Sequence, residues 1–254
     1  MKSCGRDARH FAAMTIAALA MCLPLGVNAG EATLEPSMRQ SMEQLIEEYI
    51  KTHPEVIEQS LQALDTKREA EERARQKVAL SKHQQELLND PTSPVSGNIS
   101  GDITVVEFFD YRCGYCKKAA GAVTQLQKED RRVRVIYKDF PILGEASELA
   151  AKAALASKAQ GKHQAFHEAL LGSKGDMTKD SILSIAREVG LDTKRLESDM
   201  ANPEWQTVID RNRALAKNLG ISGTPGFIVG TEVVPGALDV NGLKELIARA
   251  QNGK

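Results

Sequence analysis

The stretch Val106-Glu107-Phe108-Phe109-Asp110-Tyr111-Arg112-Cys113-Gly114-Tyr115-Cys116-Lys117 decides the fold. It begins inside an apolar run, Ile103 to Phe109, that has the length and composition of a buried β-strand. Two cysteines separated by two residues follow directly, and the segment from Cys116 to Lys128 has the apolar spacing of a helix. The pattern therefore predicts a strand, a tight turn, and a helix with the first cysteine at its N-terminus.

The position of the cysteine pair favours redox chemistry over metal binding. Unpaired backbone N–H groups and the helix dipole stabilise a thiolate at Cys113, and the thiolate is the nucleophile of thiol–disulfide exchange. Cys116, one turn into the helix and less exposed, is predicted to resolve the mixed disulfide that Cys113 forms with a substrate. Glu107 stands in an otherwise apolar strand, where burial raises the pKa of a carboxyl group. On the residues alone, Glu107 is either a proton carrier for Cys116 or an edge residue that points to solvent.

The elements that follow predict an α/β fold, a thioredoxin-like core that carries an inserted helical domain. The catalytic domain is expected over 102–254, with the insert at about 145–219. After the redox pair we expect a strand from Val133 to Tyr137, helices broken at Gly161, Gly172, Gly190 and Pro203, a hairpin about Gly230-Thr231, and a closing helix from Val240 to Ala250. Thr224-Pro225 precedes the hairpin. In a thioredoxin core this loop holds a cis-proline beside the redox pair, so we expect Pro225 to be cis and the Thr224 backbone to pair with an extended substrate.

Residues 1–29 have the three parts of a secretory signal peptide. They comprise a basic start, an apolar stretch over 11–25, and small residues up to Ala29. A lipoprotein signal has a small residue directly before its cysteine, whereas Met21 precedes Cys22. We therefore expect soluble export to the periplasm and a mature chain that begins near Gly30.

Residues 30–65 are predicted to form an N-terminal helical oligomerisation region. Apolar residues recur there at helical spacing, and Thr52-His53-Pro54 interrupts them, so we expect two short helices. The apolar stripe is too narrow for a core of its own. This favours burial against further copies of the chain over a solvated helix that leans on the main domain. Residues 66–101 are predicted to be a charged helical spacer followed by a linker rich in Pro, Ser and Gly.

Composition and spacing argue against other kinds of partner. The chain has 33 Lys and Arg against 34 Asp and Glu, without a polybasic run, so we expect no nucleic-acid binding. His163 and His167 have the spacing of a two-histidine metal site on a helix, but the sequence offers no third ligand nearby. We therefore expect one of the two histidines on the interior face of the helix and the other on its outer face, without a metal. We expect no cofactor other than the redox-active Cys113–Cys116 disulfide.

The stretch from Val106 to Lys117 closely resembles the active-site segment of the DsbA-like thiol–disulfide oxidoreductases. The segments 138–144 and 223–225 resemble further landmarks of that family, in the same order. The segment from Glu48 to Ile57 is similar to the N-terminal region of the suppressor-of-copper-sensitivity subgroup, ScsC. The resemblance implies a nucleophile, a resolving thiol and a proton relay at Cys113, Cys116 and Glu107. It also implies substrate contacts at Gly114, Tyr115, Thr224 and Pro225.

The resemblance also bears on the direction of the reaction. A Gly-Tyr dipeptide between the cysteines, with Thr before the cis-proline, is the combination of the DsbC-type isomerases, which implies a disulfide isomerase or reductase. It further implies misoxidised or unfolded exported proteins as clients, and a membrane thiol reductase of the DsbD or ScsB type as electron donor. A homo-oligomer, with a trimer favoured, would assemble through the N-terminal helices. A DsbA-like oxidase, a copper-sequestering protein and an oligomeric chaperone remain as alternatives.

Overall fold

A computed structural model describes residues 35–252 of the 254-residue chain. The predicted signal peptide and the predicted mature start near Gly30 lie outside these residues. The described chain divides into two units, one that ends at Leu61 and one that begins at Gln62. The second unit contains the cysteine pair.

Two helices follow one another at the start of the described chain. Helix α1 spans Pro36–Thr52, and the proline lies in the first turn, where its missing N–H leaves no helical hydrogen bond unmade. Helix α2 spans Glu55–Lys82. The prediction of a second short helix is therefore wrong, because no Gly or Pro occurs between 55 and 90 to end it. The predicted boundary between 65 and 66 falls within this continuous helix.

Helix α1 buries none of its residues. Its large apolar side chains are all exposed: Met38, Met42, Leu45, Ile46, Tyr49 and Ile50. These positions follow the helical spacing that the sequence predicted, so they form one face. Within the described chain, this face is a solvent-accessible apolar surface.

The second unit is built on a mixed sheet, which has five strands within residues 35–252. They are β1 Val95–Gly97, β2 Ile103–Phe109, β3 Val133–Asp139, β4 Gly226–Val229 and β5 Glu232–Pro235, in the order β1-β3-β2-β4-β5. β2 and β3 are parallel, and the other neighbouring pairs are antiparallel. The predicted linker thus contains a strand, β1, that the sequence pattern missed because only one of its side chains, Ser96, points inward.

Helices cover both faces of this sheet. α3 Gln84–Leu88 precedes β1, α4 Gly114–Glu129 connects β2 to β3, and α10 Val240–Asn252 follows β5. The insert between β3 and β4 contains α5 Glu145–Ala156, a 3₁₀ turn Ser157–Gln160, α6 His163–Gly172, α7 Lys179–Glu188, α8 Thr193–Met200 and α9 Glu204–Asn218. The predicted thioredoxin-like order of strand, helix, strand, helical insert, hairpin and helix is confirmed.

Strand β2 lies between two hydrophobic cores, which explains its unbroken apolar run. One of its faces, with Val105 and Phe109, packs against α4, α10 and the insert. The other face, with Phe108, packs against α9 and against Leu80 and Leu87 from α2 and α3. The end of the predicted spacer therefore contributes to the core of the catalytic domain.

A buried lysine in the sheet forms hydrogen bonds with the segment before β1. Lys138, in β3, is 1% exposed, and its Nζ donates to the Glu86 carbonyl (2.6 Å) and to Ser93 Oγ (2.7 Å). The same Nζ forms an ion pair with Asp90 (3.4 Å), which also accepts a hydrogen bond from Arg211 in α9. Burial lowers the pKa of Lys138, and the charge of Asp90 opposes this shift. This network joins three segments that lie far apart in sequence.

Candidate active site

Cys113 ends the turn that leads from β2 into α4. It is the N-cap residue of α4, and its backbone N–H donates to the Asp110 carbonyl at 3.1 Å. The turn forms here because the apolar strand ends at Phe109 and the Asp110 side chain then accepts the N–H of Arg112 at 2.7 Å, an Asx-turn. The unpaired N–H groups of the first turn of α4 therefore lie beside Cys113, where they stabilise a thiolate.

The Cys113 thiol faces the loop before β4. Its Sγ donates a hydrogen bond to the carbonyl oxygen of Thr224, 3.3 Å away. The Thr224-Pro225 peptide bond is cis, which confirms the prediction. Because β4 is the antiparallel neighbour of β2, the loop before β4 lies at the end of the sheet where β2 leads into Cys113.

The two cysteines differ in burial. Cys113 is 8% exposed, whereas Cys116 is completely buried. Burial raises the pKa of the Cys116 thiol, a backbone hydrogen bond from Asp110 opposes the shift, and the charges of Cys113 and Glu107 add to it. Cys116 therefore requires a base in order to ionise.

Glu107 is a buried carboxyl group on the Cys116 side of the sheet. Val105 and Phe109, two residues away on either side, pack in the same core as Cys116, and side chains alternate along a strand, so Glu107 points into that core. Among residues 35–252, its Oε1 has no hydrogen-bond partner. Burial raises the pKa of Glu107 to about 8. A carboxyl group with this pKa can exchange a proton near neutral pH.

Gly114 and Tyr115 form the exposed rim of the cysteine pair. Tyr115 is 64% exposed. A Cβ built on Gly114 would meet no atom within 4 Å, so this position is open to an approaching chain. Both residues are therefore accessible to a substrate at Cys113.

An aromatic and histidine cluster packs behind the active-site turn. Tyr111 Oη lies 2.9 Å from His167 Nδ1, and the ring of Tyr137 lies 4.3 Å from that of His167 between centroids. His163 stacks on His167, and both histidines are buried. Burial lowers the pKa of His163 to about 3 and that of His167 well below its ordinary value. The expectation of one inner and one outer histidine is wrong, because the aromatic rings of β2 and β3 accommodate both.

A second buried carboxyl group, Asp139, was not predicted. It ends β3 beside Phe109, is 1% exposed, and neither of its carboxylate oxygens has a partner within residues 35–252. Burial raises the pKa of Asp139 to about 8. Across the part of the chain that the structure describes, no group of three or more His, Cys, Asp or Glu residues could hold a metal ion.

Two family models match the chain. The model of the DsbA-like thioredoxin domain matches residues 104–248, which are more than half of the chain. The chain belongs to the DsbA-like thioredoxin family. The model of the copper resistance protein ScsC N-terminal domain matches residues 39–71, which identifies the ScsC subgroup.

Several solved structures are similar to this chain. A thioredoxin-like oxidoreductase from Silicibacter pomeroyi is 49% identical, covers 66% of this chain and 97% of its own, and superposes with a TM-score of 0.64. A linker-deletion mutant of Proteus mirabilis ScsC is 25% identical, covers 88% of this chain and 100% of its own, and gives a TM-score of 0.66. The similarity to ScsC thus extends beyond the catalytic domain.

Curated relatives include longer proteins. A protein from Salinispora arenicola named Na⁺/H⁺ antiporter NhaA 1 is 28% identical over 161 residues, which are 63% of this chain and 25% of that protein. The chain spans about a quarter of the length of the curated relatives that it matches first. Between residues 35 and 252, no helix of this DsbA-like chain has the length and apolar character needed to span a membrane.

Proposed function

We propose that this protein is a periplasmic disulfide isomerase or reductase that acts through Cys113 and Cys116. The observation that carries the proposal is the exposed apolar face of α1, which lies within the ScsC-like segment and precedes a catalytic domain with a complete redox centre. A dithiol oxidase needs only the catalytic domain. An N-terminal surface that can bring several redox centres together favours an enzyme that handles proteins with more than one wrong disulfide.

The redox centre supports a two-step exchange. The Cys113 thiolate attacks a disulfide of the client, which forms a mixed disulfide and releases one client thiolate. In isomerisation, another client thiolate attacks this mixed disulfide and regenerates Cys113. In reduction, Glu107 first gives up its own proton, because its pKa of about 8 keeps it mostly protonated near neutral pH. The carboxylate then takes the proton of Cys116 as the Cys116 sulfur attacks Cys113 Sγ. The enzyme disulfide forms and the second client sulfur leaves as a thiolate, which takes up a proton, so two electrons pass from enzyme to client.

The direction of the exchange rests on Gly114, Tyr115 and Thr224. This combination resembles the DsbC-type isomerases, and the Thr224 carbonyl adjoins Cys113 Sγ. An extended client segment would pair with the backbone at Thr224 and Pro225, as in strand addition. An isomerase must also be kept reduced, so we propose a membrane thiol reductase of the DsbD or ScsB type as its electron donor. Its clients are misoxidised or unfolded exported proteins.

The oligomer would form through the face of α1. Six large apolar residues on one face of α1 can pack against the same face of another copy of the chain. Without such packing they would stay exposed to water. We favour a trimer, on the resemblance to ScsC. Assembly would place several Cys113 thiols in one particle.

The test is recovery of activity from scrambled, wrongly disulfide-bonded ribonuclease. Deletion of the whole N-terminal region to residue 90 would remove Leu80 and Leu87 from the core, so substitution of the α1 face is the better perturbation. Leu45→Asp combined with Tyr49→Asp should give a monomer that no longer rescues the scrambled enzyme but still oxidises reduced thiols. Gln44→Asp, an exposed change on the opposite side of α1, is the matched control.

The outcomes separate isomerase from oxidase. Rescue by the native protein and the control, but not by the α1 variant, would support an isomerase that depends on assembly. Efficient oxidation of reduced ribonuclease by all three forms, without rescue of scrambled ribonuclease, would identify a DsbA-like oxidase instead. Cys113→Ser should abolish both the rescue of scrambled ribonuclease and the oxidation of reduced thiols. A chaperone or holdase activity that survives this change would argue against an enzymatic role.

A further inference from the structure

Each reductive turnover requires Glu107 to exchange a proton with solvent. In the proposed exchange, its carboxyl group loses its own proton before it takes the proton of Cys116. Glu107 is nevertheless buried, and its Oε1 has no hydrogen-bond partner among residues 35–252. A buried carboxyl group needs neighbouring groups through which its proton can reach water.

Tyr137 lies beside Glu107 on the neighbouring strand. The two residues are partners in the parallel ladder of β2 and β3, and neighbouring strands lie about 4.8 Å apart. Tyr137 packs in the same hydrophobic core as Val105 and Phe109, so its side chain and that of Glu107 leave the same face of the sheet. Burial raises the pKa of Tyr137, and the charge of Glu107 raises it further. Tyr137 therefore keeps its hydroxyl proton beside the carboxyl group.

Two hydrogen bonds connect the Tyr137 hydroxyl to the outer part of the domain. Ser96 Oγ, in β1, donates to Tyr137 Oη at 2.9 Å, and Gln127 Nε2 donates to Ser96 Oγ at 2.6 Å. Ser96 is buried, whereas Gln127 is half-buried on α4. A hydroxyl group is both a donor and an acceptor, so it can take up one proton and give up another. The row of groups therefore runs from the interior towards solvent.

The hydroxyl of Tyr111, in the same core, points along a different route. Its Oη lies 2.9 Å from His167 Nδ1, and His167 is itself buried. Burial lowers the pKa of His167 well below its ordinary value, so this histidine does not take up a proton near neutral pH. The route through Tyr111 ends in the interior, whereas the route through Tyr137 leads outward.

We propose that the hydroxyl groups of Tyr137 and Ser96 relay the Glu107 proton to solvent during the resolving step. This inference rests on the proposed function, in which Glu107 serves Cys116. The carboxyl proton passes to Tyr137 Oη, the Tyr137 proton passes to Ser96 Oγ, and the Ser96 proton leaves to water beside Gln127. Only O–H bonds form and break, and the relay ends with both hydroxyls neutral. Tyr137 and Ser96 are positioning residues, because they act through Glu107.

The test uses a disulfide that reports the two chemical steps separately. The reduced protein is mixed with an excess of the chromogenic disulfide dithiobis(nitrobenzoate) in a stopped-flow instrument. Attack by Cys113 releases the first nitrothiobenzoate, at a rate that rises with the concentration of the reagent. Attack by Cys116 on the mixed disulfide releases the second, at a rate that does not. The enzyme dithiol is oxidised, and the reagent is reduced to two thiolates.

The variants each change one hydroxyl group. Tyr137→Phe and Ser96→Ala remove the two members of the relay, and Ser96→Thr keeps a hydroxyl at the second position. Ser157→Ala is the matched control, because Ser157 is also buried and its Oγ donates only to the Ala154 carbonyl, within the insert. Rates are measured in water and in deuterium oxide.

Tyr137→Phe and Ser96→Ala should slow the second release by about a hundredfold, the low end of what a positioned proton carrier contributes. The first release should be unchanged. The slowed step should show a larger solvent deuterium isotope effect than in the native protein, and the double variant should be no slower than either single one. Ser96→Thr should restore the native rate, and Ser157→Ala should keep it.

A second release that keeps its native rate in either hydroxyl variant would overturn the relay. Equal slowing of both releases, without a change in the isotope effect, would also overturn it, because that result is expected of a structural disturbance. In both cases the native protein would still release two thiolates. A native protein that releases only one thiolate, or none, would instead overturn the proposed exchange itself.

Discussion

Replacement of Glu107 by Gln is expected to change the way in which the stability of the protein depends on pH. Glu107 is 1% exposed, and burial raises its pKa from 4.5 to about 8. In the unfolded chain the same group loses its proton near its ordinary pKa, about 4.3. Between about pH 5 and about pH 7.5 the folded protein therefore holds a proton that the unfolded chain does not.

The size of the effect follows from this single proton. The stabilising contribution is fully present below the unfolded pKa and is lost as the pH rises towards the folded pKa. The free energy of unfolding of the native protein should therefore fall by about 1.4 kcal/mol for each pH unit through most of this range because of Glu107. Gln cannot titrate, so from about pH 5.5 to about pH 7.5 the variant should gain about 2.5 kcal/mol relative to the native protein. The substitution also changes the free energy of unfolding by an amount that does not depend on pH. This amount is the same at about pH 5.5 and at about pH 7.5, so it does not affect the expected gain.

Urea unfolding of the reduced protein at several pH values measures the effect directly. Other titrating groups contribute equally to both proteins and cancel in the comparison. Glu245→Gln, on the exposed surface of α10, is the matched control. A stability difference between Glu107→Gln and the native protein that is flat across this range would mean that Glu107 is already ionised in the fold. The raised pKa that burial implies for Glu107 would then be wrong.

Three further substitutions test other parts of the structure. Asp139→Asn should also gain stability relative to the native protein as the pH rises from about 5.5 to about 7.5, because burial raises the pKa of Asp139 to about 8; the same urea titration would contradict this with a flat difference. Lys138→Met should lower the free energy of unfolding by about 3 kcal/mol, since Asp90 loses its buried partner, and urea unfolding that matches the native protein would show that the pair contributes little. Gly101→Ala should lower the melting temperature, with a cost of about 2 kcal/mol, because a Cβ there would lie 2.1 Å from the Arg132 carbonyl oxygen; an unchanged melting temperature would contradict this clash.

The fold can be predicted from the sequence where its pattern is local. β2 and α4 each occupy one continuous stretch with visible apolar spacing, and their observed bounds lie within two residues of the predicted ones. The hairpin of β4 and β5 turns at Gly230-Thr231, as its turn residues predict. β1 lacks such a pattern, because it has three residues and a single inward side chain. Its existence depends on pairing with β3, which no local pattern indicates.

The candidate active site also has residues that a local sequence pattern reveals and residues that it does not. Cys113, Cys116 and Glu107 stand in one short stretch, so their chemistry can be inferred from it. The burial of Asp139 and of both histidines cannot, because the surroundings of these groups come from β2, β3 and α6, which meet only in the folded chain. Asp110 stands in the quoted stretch, but its bonds to Ile142 and Leu143 join residues more than thirty positions apart.

The hydrogen bond from Cys113 Sγ to the Thr224 carbonyl exists only while Cys113 carries its proton. In the thiol form, the carbonyl already has an intramolecular donor. Once Cys113 ionises or joins a mixed disulfide, its sulfur carries no hydrogen and that donor is gone. If clients pair with the backbone at Thr224 as proposed, the carbonyl would then accept the N–H of the client in place of the thiol. On the same proposal, reprotonation of Cys113 after the exchange would restore the internal donor and favour release of the client.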